Sequence, residues 1–388
     1  MNDEGQVADL RQTFERRFGG RARIFRAPGR TNLIGEHTDY NDGFVLPVAV
    51  DRWTWVAIAA RAGREVRVTS EHFAETSEFN LDEERPVARR HWSDYVRGVA
   101  LMLARAGCQV SGADLLIRSD VPLGAGVSSS ASLEVAAGMA LAAISGCAIP
   151  RLELAKLCQR AENQFVGARC GIMDQFIACE GEEGHAVFLD CRSLEHEAVP
   201  LPKDVRLVLC NTMVKHEIAG GEYNKRREEC EEAVRRLADA IPGVQALRDV
   251  TPEQVVTHRP LLPGAIYKRA RHVTTENARV LEARDALKRG DLAAMGKLMA
   301  ESHASLRDDY KVSCRELDLM VELARGFDGC FGARMTGGGF GGCTINLVDS
   351  AKCDEFAKHM REGYKRATGI APEVYACNSA CSADEVIS

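Results

Sequence analysis

The stretch PLGAGVSSSASLE, from Pro122 to Glu134, constrains this chain more than any other. Its glycines allow backbone N–H groups to approach an anion closely. A helix that begins at the three consecutive serines would direct its free N–H groups and its partial positive charge toward the same point. The stretch therefore predicts a phosphate-binding loop followed by a helix, although a serine N-cap after an ordinary turn would give a similar pattern. It is not a Walker loop, because the chain contains no G-x-x-x-x-G-K-S/T motif.

Length, composition and charge limit the classes of protein to which the chain can belong. Its 388 residues suit two domains of ordinary size, and contents of 45% hydrophobic and 27% charged residues are typical of a globular protein. The net charge of −6 offers no basic surface for nucleic acid, so we expect no nucleic-acid partner. An anionic substrate would therefore need a local positive site.

The cysteines and the apolar segments predict a cytoplasmic protein. The 14 cysteines are scattered singly and form no C-x-x-C pair, which favours reduced thiols over a disulfide framework. The N-terminus lacks the apolar core of a signal peptide. The longest uncharged apolar stretch, Val135–Pro150, spans only about 15 residues and contains two glycines, so a buried helix is favoured over a membrane span.

The segment Arg26–Pro47 combines many charged side chains with glycines, a density that suits a loop lining a site. The charged and imidazole side chains are Arg26, Arg30, Glu36, His37, Asp39 and Asp42. Apolar residues such as Leu33, Ile34 and Phe44 should anchor the segment in a core, which a solvated turn would not need. We therefore interpret the segment as a functional loop.

Two carboxylates further along the chain have open interpretations. The segment Arg151–Val166 is predicted to be an amphipathic helix with Glu162 on its polar side, where a glutamate ordinarily serves solubility. Asp174 is the only charge in a mostly apolar run through Cys179. A buried carboxylate is costly unless it is paired, so Asp174 should have a cationic neighbour, in either a functional site or a structural salt bridge.

The rest of the pattern predicts strands, a division of the chain and a second glycine-rich loop. Strands are expected at Trp53–Ala60, Glu65–Thr69, Ala113–Arg118, Ala186–Asp190 and Val205–Cys210. The fourth could close one domain and the fifth open another, which places an approximate boundary between residues 195 and 196. The run MTGGGFGGC, Met335–Cys343, formally contains G-x-G-x-x-G, but it precedes a strand and lacks a βαβ context, so it predicts only a tight, closely packed loop.

Three of these stretches together resemble the GHMP kinase superfamily. PLGAGVSSSAS is similar to its phosphate loop and MTGGGFGGC to its third motif, while GRTNLIGEHTDYNDGFVLP resembles the more specific galactokinase signature. Further galactokinase-like runs, among them AENQFVGARCGIMDQF and GGEYNKRREEC, extend the resemblance over nearly the whole chain. Departures are small, such as Thr31 where an aliphatic residue is common.

The resemblance implies a fold, a reaction and a set of partners. It implies an α+β fold of two GHMP-kinase-like domains, 1–195 and 196–388, with the active site in the cleft between them and a C-terminal tail that can pack back on the first domain. It also implies transfer of the γ-phosphoryl group of ATP to the C1 hydroxyl of α-D-galactose, with Mg²⁺ required. The expected partners are galactose and ATP alone, with no membrane, and the chain is expected to be a monomer.

The same resemblance assigns roles to individual residues. Asp174 matches the catalytic aspartate and Arg30 its cationic partner, which would keep the carboxylate ionised. The positions matching sugar contacts are Glu36, His37, Thr38, Asp39, Gly171 and Tyr223. The positions matching the phosphate loop are Gly124, Ala125, Gly126, Val127, Ser128, Ser129 and Ser130. Ser130 and Glu162 match Mg²⁺ ligands, and a hydroxyl plus a carboxylate, completed by phosphate oxygens and waters, is a normal magnesium site.

Two other functions are compatible with most of these features. One is a kinase for a related sugar such as N-acetylgalactosamine, because the pocket wall near the C2 substituent cannot be identified from sequence. The other is a galactose- and ATP-binding sensor without catalysis. Sensors of this superfamily lack a Ser-Ala pair that this chain keeps at Ser130-Ala131, which favours an enzyme.

Overall fold

The computed structural model describes residues 3–215 and 219–387, in which three β-sheets are flanked by eleven α-helices. The strands are β1 (Arg23–Asn32), β2 (Phe44–Val45), β3 (Pro47–Ala60), β4 (Glu65–Ser70), β5 (Glu75–Asn80), β6 (Ala113–Ser119), β7 (His185–Asp190), β8 (His196–Pro200), β9 (Val205–Lys215), β10 (Cys330–Met335), β11 (Gly341–Asp349), β12 (Glu373–Cys377) and β13 (Asp384–Glu385). The helices are α1 (Asp3–Phe18), α2 (Asp94–Arg105), α3 (Ser129–Ile144), α4 (Arg151–Ala161), α5 (Met173–Glu180), α6 (Ala219–Ala238), α7 (Pro252–Thr257), α8 (Gly264–Lys288), α9 (Leu292–Ser305), α10 (Arg315–Arg325) and α11 (Cys353–Thr368).

The first half of the chain is built on a six-stranded sheet with the order β13-β1-β3-β6-β4-β5. Its strand pairs are antiparallel except for the parallel pair of β4 and β6. Helix α3 carries apolar residues almost all round, as a buried helix does, and it packs against β1 and β3 while α2, α4 and α5 pack against it. This packing fixes the start of α3, at Ser129, beside the sheet.

The second half is built on a four-stranded antiparallel sheet with the order β10-β11-β9-β12, against which α9, α10 and α11 pack. A three-stranded sheet, β2-β7-β8, connects the segment after β1 with strands from the middle of the chain. The predicted domain boundary lies in the turn between β7 and β8 and stays a prediction. Strand β13 pairs with β1, so the end of the described chain returns to the first sheet.

The predicted strands and the phosphate-loop helix are present in the structure. Each of the five predicted strands coincides with one of β3, β4, β6, β7 and β9, and α3 begins at the serines as expected. The mixture of helices and sheets in two halves confirms the predicted α+β, two-domain fold.

The interpretation of Arg26–Pro47 as one continuous loop is wrong for its first part. Residues 23–32 form β1, which pairs along its length with β3. Strand β1 is covered on both faces, so its sequence lacks the alternation of polar and apolar residues that marks a half-buried strand. Its charged residues therefore resembled those of a loop. Arg30 is therefore held by a strand, which fixes its backbone more firmly than a loop would.

The placement of Glu162 on a polar helix face is also wrong, since only 8% of the residue is exposed. Glu162 follows the buried Cys158 by four residues and therefore lies on the same face of the helix. Helix α4 packs among α2, α3 and α5, so this face meets protein rather than solvent. Glu162 opens a π-helical turn, Glu162–Val166, that ends α4.

The expectation that all thiols are reduced requires correction. A disulfide joins Cys108, after α2, to Cys147, after α3, and the other twelve cysteines are free. The two helices end side by side with a Cα–Cα distance of 5.9 Å, which suits a disulfide; the separation of 39 residues hides this proximity in the sequence. In the described ranges, no helix has the length and apolar character needed to cross a bilayer.

Candidate active site

A cavity of about 290 Å³ lies where the two halves of the chain meet. The first half contributes β1, the segment after β1, helix α5 and the loop that precedes α3. The second half contributes helix α6 and the loop between β10 and β11. The lining residues are Arg30, Glu36, His37, Asp39, Gly124, Gly126, Ser128, Ser129, Ser130, Glu162, Ala168, Cys170, Met173, Asp174, Tyr223, Gly337 and Gly338. The structure thus brings together most of the residues that the sequence analysis singled out from distant parts of the chain.

The loop before α3 presents backbone rather than side chains to the cavity. Gly124 and Gly126 have φ angles of 63° and 79°, which glycine adopts without strain. Ala125 and Val127 are 1% exposed and point into the core, so they can contribute only their backbone. A Cβ atom on Gly337 would lie 2.7 Å from the Gly126 carbonyl oxygen. The two glycine-rich loops therefore pack backbone against backbone.

Ser128 does not act as the N-cap that an ordinary turn would supply. Its φ angle is 61°, and its side chain makes no capping hydrogen bond to α3. The hydroxyl group donates instead to the Oδ2 atom of Asp174. The N–H groups at the start of α3 are therefore not capped by this side chain, and Ser129 and Ser130 line the cavity, which suits an anion site.

Arg30 and Asp174 form a bidentate ion pair inside the cavity. The Nε atom of Arg30 donates to Oδ1 of Asp174 at 2.8 Å, and Nη2 donates to Oδ2 at 2.7 Å. Arg30 is only 5% exposed, and its Nη1 atom donates to the Gly126 carbonyl. The counter-charge expected for Asp174 is present, and the same guanidinium connects this carboxylate to the phosphate loop.

Glu36 connects the segment after β1 to the loop between β10 and β11. Its Oε1 atom accepts from the backbone N–H of Gly337 at 2.7 Å and from the Thr336 hydroxyl at 3.1 Å. Its Oε2 atom accepts from the Asn32 amide at 2.8 Å. The residue is 1% exposed but lines the cavity, so it supports the site structurally whatever it contributes to a ligand.

His37 presents an imidazole that is neutral at physiological pH. Burial, with a further contribution from the nearby His272, lowers the pKa of His37 well below its usual value. Its Nδ1 atom is 2.8 Å from the Tyr40 hydroxyl. Its Nε2 atom is buried and makes no hydrogen bond of good geometry within the described residues, while a contact with the Gly338 backbone partly offsets the lowering of the His37 pKa. The ring of Tyr223 lies 5.6 Å from the His37 ring and forms the adjacent wall of the cavity.

Asp39 and Gly171 are matched to each other. A Cβ atom on Gly171 would lie 2.0 Å from Oδ2 of Asp39, so only glycine leaves room for this carboxyl group. Burial, and next the negative charge of Asp174, raises the pKa of Asp39 to about 7. Gly171 lines a neighbouring cavity rather than this one. We therefore assign Gly171 to the support of Asp39.

Thr38 lies outside the cavity. It is fully buried, and its hydroxyl group faces the carbonyl oxygens of Gly35 at 2.8 Å and Phe44 at 2.6 Å. Since a hydroxyl carries one proton, it donates to one of these carbonyls at a time. This arrangement closes the turn between Gly35 and Phe44 and leaves no donor for a ligand.

Comparisons with known proteins identify the family. The galactokinase galactose-binding signature matches residues 12–60, the GHMP kinase N-terminal domain residues 94–182 and the GHMP kinase C-terminal domain residues 283–366. The chain is 51% identical over 375 residues to a galactokinase of Chloroflexus aggregans, covering 96% of each chain. The chain belongs to the galactokinase family. It is accordingly an ATP-dependent sugar kinase with the two-domain GHMP kinase fold.

Further relatives of this galactokinase family member agree in sequence and structure. A galactokinase of Glaesserella parasuis is 45% identical over 96% of this chain and 97% of its own. The crystal structure of a Lactococcus lactis galactokinase complexed with galactose has a TM-score of 0.94 and 37% identity, covering 98% of this chain and 100% of that chain. A mevalonate kinase of Methanococcus jannaschii, 18% identical with a TM-score of 0.68 over 93% of this chain and 99% of its own, shares the fold alone.

Sequence reasoning missed two side chains behind the galactokinase cavity. The Nε2 atom of Gln175 donates to Glu162 at 2.7 Å and to Glu134 at 2.9 Å, so one amide holds two carboxyl groups. Both Gln175 and Glu134 are completely buried. The available signal was the position of Glu134, which follows Ser130 by four residues in an otherwise apolar helix and so lies on the same face.

The oxygens around Glu162 fit a divalent cation. Ser130 and Glu162 both line the cavity, and the nearby Ser130 hydroxyl favours the ionised form of the Glu162 carboxyl group. Burial, and next the charge of Asp174, raises the pKa of Glu162 to about 7. A bound cation would relieve this concentration of negative charge, and hydroxyl and carboxylate oxygens suit Mg²⁺. No group of three or more His, Cys, Asp or Glu side chains in residues 3–215 and 219–387 is arranged to hold a metal ion, so ATP and water would supply the other ligands.

Proposed function

We propose that the chain transfers the γ-phosphoryl group of ATP to the C1 hydroxyl of α-D-galactose, giving α-D-galactose 1-phosphate and ADP. The observation that carries this proposal is the Arg30–Asp174 ion pair, which lies in one cavity together with the sugar segment and the phosphate loop. Phosphoryl transfer depends mainly on positioning and on electrostatic stabilisation. This cavity offers both at the point where the two substrates would meet.

The sugar would lie against His37, Asp39 and Tyr223. A neutral imidazole, a carboxyl group and a phenol hydroxyl together provide donors and acceptors for several sugar hydroxyls. Such groups distinguish stereoisomers, because a hydroxyl in the wrong position leaves buried polar atoms unpaired. Glu36 completes this end of the cavity, with its carboxylate already held by the Gly337 N–H group.

The nucleotide would enter from the opposite end. Backbone N–H groups from Gly124 to Ser130 and the start of α3 would bind its phosphates. A small apolar cleft of about 50 Å³ adjoins this loop at Ser129. In that cleft the rings of Phe73 and Trp92 are nearly parallel, at 16°, with centroids 5.8 Å apart. Aromatic faces of this kind suit a nucleotide base, and we place the adenine there.

In the proposed reaction the C1 hydroxyl oxygen attacks the γ-phosphorus of ATP. Its proton passes to a carboxylate oxygen of Asp174, and the bond between the γ-phosphorus and the bridging oxygen breaks, with the electron pair leaving on ADP. Arg30 stabilises the charge on Asp174 and lies close to the phosphate path through its contact with Gly126. Asp174 returns its proton to solvent after the products leave.

Ser130 and Glu162 would hold Mg²⁺ at the phosphate end of the cavity. When bound, the ion supplies neutralisation of the charge on the phosphate oxygens. Gln175 would keep Glu162 oriented through the hydrogen bond at 2.7 Å. We also propose that the chain acts as a monomer in the cytoplasm. Twelve of the fourteen cysteines are free, which supports a reducing compartment, while the Cys108–Cys147 disulfide is the exception. Light scattering on a sizing column tests the monomer.

An ADP-release assay with a panel of sugars tests the proposed reaction. We expect ADP formation with galactose, and weaker formation with glucose or N-acetylgalactosamine. Equal or better turnover of N-acetylgalactosamine would identify the related sugar kinase instead. Binding of galactose and ATP by calorimetry without any ADP release would identify a sensor.

A further inference from the structure

A chain of hydrogen-bonding groups runs from His37 into the core behind the cavity. The Nδ1 atom of His37 is 2.8 Å from the Tyr40 hydroxyl, which is 2.8 Å from the Tyr310 hydroxyl. The Tyr310 hydroxyl in turn is 3.1 Å from the Sγ atom of Cys230. The groups come from the segment after β1, the π-helical turn Leu306–Tyr310 and helix α6. Contacts of this length connect the imidazole to residues that are remote in sequence.

Tyr310 lies outside the cavity and packs directly against the His37 ring. It is completely buried and is not among the lining residues. Its ring packs against His37 at a centroid distance of 4.7 Å and against His272 at 4.5 Å. The π-helical turn that carries it is anchored by Arg226, whose Nε atom donates to the Tyr310 carbonyl at 2.9 Å. Tyr310 therefore acts on the His37 imidazole in two ways, through direct ring packing and through its hydroxyl group by way of Tyr40.

The restraint on His37 matters because of the second nitrogen of its ring, Nε2. Nδ1 is occupied by Tyr40, whereas Nε2 makes no hydrogen bond of good geometry in the described parts of the chain; the ring's other polar contact is with the Gly338 backbone, and the residue is only 5% exposed. A buried ring nitrogen in a cavity wall that lacks a well-formed hydrogen bond suits a polar ligand atom, since leaving such a nitrogen poorly paired is costly. The hydrogen bond at one ring nitrogen decides which tautomer the other presents.

We propose that Tyr310 is a positioning residue for sugar binding, whose hydroxyl, acting through Tyr40, holds the His37 ring with Nε2 directed at a sugar hydroxyl. This inference rests on the proposed function, because it takes His37 to be a sugar contact. It adds a residue that influences sugar specificity without touching either substrate. In this arrangement Tyr310, from the second half of the chain, restrains the imidazole of His37, from the first half.

Tyr310→Phe tests the proposal because it removes the hydroxyl and keeps the ring. We expect the KM for galactose to rise roughly three- to tenfold, the range that the net contribution of one hydrogen bond implies, with kcat and the KM for ATP little changed. Tyr364→Phe is the matched control: Tyr364 is equally buried and its hydroxyl donates to the Thr212 carbonyl at 3.0 Å in a different part of the core. The control should lose comparable stability and keep the galactose KM.

Two further measurements separate positioning from a general structural effect. The ring ¹⁵N signals of His37, identified by their disappearance in His37→Gln, should change in Tyr310→Phe and not in Tyr364→Phe. In a His37→Gln background, Tyr310→Phe should have no additional effect on the galactose KM, because the route through His37 is already absent. If Tyr310→Phe does not fold, Tyr40→Phe makes the same test one contact closer to His37.

The outcomes distinguish this inference from the proposed function. If His37→Gln leaves the galactose KM unchanged, His37 is not a sugar contact and the proposed binding mode fails. If His37→Gln raises that KM but Tyr310→Phe does not, the positioning role is overturned while the proposed binding mode survives. An increase by Tyr310→Phe that persists undiminished in the His37→Gln background also overturns it.

Discussion

The guanidinium of Arg30 faces the carboxylate of Asp174 along two parallel hydrogen bonds, Nε to Oδ1 at 2.8 Å and Nη2 to Oδ2 at 2.7 Å. The two residues are 144 positions apart in the chain, on strand β1 and helix α5. Bidentate pairs of this kind fix the orientation of the two side chains and also stabilise their charges. The sugar segment and the phosphate loop both reach the cavity in which this pair lies.

Arg30→Lys should reduce kcat roughly 10- to 100-fold, because lysine keeps a charge but cannot form the two parallel bonds. Arg26→Lys is a matched control on the same strand, because Arg26 makes a similar bidentate pair with Asp384, near the end of the chain. Steady-state kinetics should show near-normal turnover for the control. Equal losses in the two variants would mean that Arg30 serves the strand rather than the chemistry.

Glu162→Gln should weaken the use of Mg²⁺ while galactose binding survives. The substitution removes a charge from the proposed metal site but keeps the shape of the side chain. Turnover should require more Mg²⁺, and ATP affinity measured by calorimetry should lose much of its dependence on Mg²⁺. Glu153→Gln, on an accessible face of the same helix beside Lys156, is the control. An unchanged Mg²⁺ dependence in Glu162→Gln would remove this residue from the metal site.

Gly171→Ala should raise the galactose KM without affecting ATP affinity, because the new methyl group would occupy the place of the Asp39 carboxyl group. We expect an increase on the order of tenfold, typical of a displaced polar partner. Gly326→Ala, where a Cβ atom would make only ordinary contacts of 3.5 Å or more, controls for the change of residue type. A normal galactose KM in Gly171→Ala would show that Asp39 can move without consequence.

The galactose KM should fall as the pH rises through about 7, the pKa to which burial and Asp174 raise Asp39. Below that pH the carboxyl group is protonated and accepts sugar hydroxyls poorly; above it the carboxylate accepts them fully. Kinetics between about pH 6 and about pH 8 should show this trend, and Asp39→Asn should flatten it. A slope that persists in Asp39→Asn would assign the titration to another group.

The two-domain α+β fold was predicted from the family resemblance, whereas individual strands and the positions of the motifs were predictable because they depend on local patterns. The glycines and serines before α3 specify a loop and a helix start, and the apolar composition of α3 specifies burial. The sequence also indicated that Asp174 needs a cation, since a lone carboxylate in an apolar run is costly. The partner, Arg30, could be named only by resemblance, because it lies 144 positions away from Asp174 in the chain.

The burial and the hydrogen-bond partners of several site residues could not be predicted, because they depend on tertiary contacts. Glu162 looks like a solvated helical residue until the neighbouring helices cover it. Gln175 carries no charge and gives no signal in the sequence, yet it holds two carboxyl groups. Thr38 sits within the signature, but its hydroxyl closes a turn instead of reaching the cavity.

Asp174→Asn provides the most direct measurement of the central claim, that this carboxylate accepts the proton of the sugar hydroxyl. The substitution keeps the shape and removes the charge and the basic oxygen. Calorimetry should still detect binding of galactose and ATP, and single-turnover phosphoryl transfer should be slower by about 10²- to 10⁴-fold. Combining it with Arg30→Lys should add little, because the two residues act as a unit. Near-normal phosphoryl transfer by a folded Asp174→Asn variant would contradict the account.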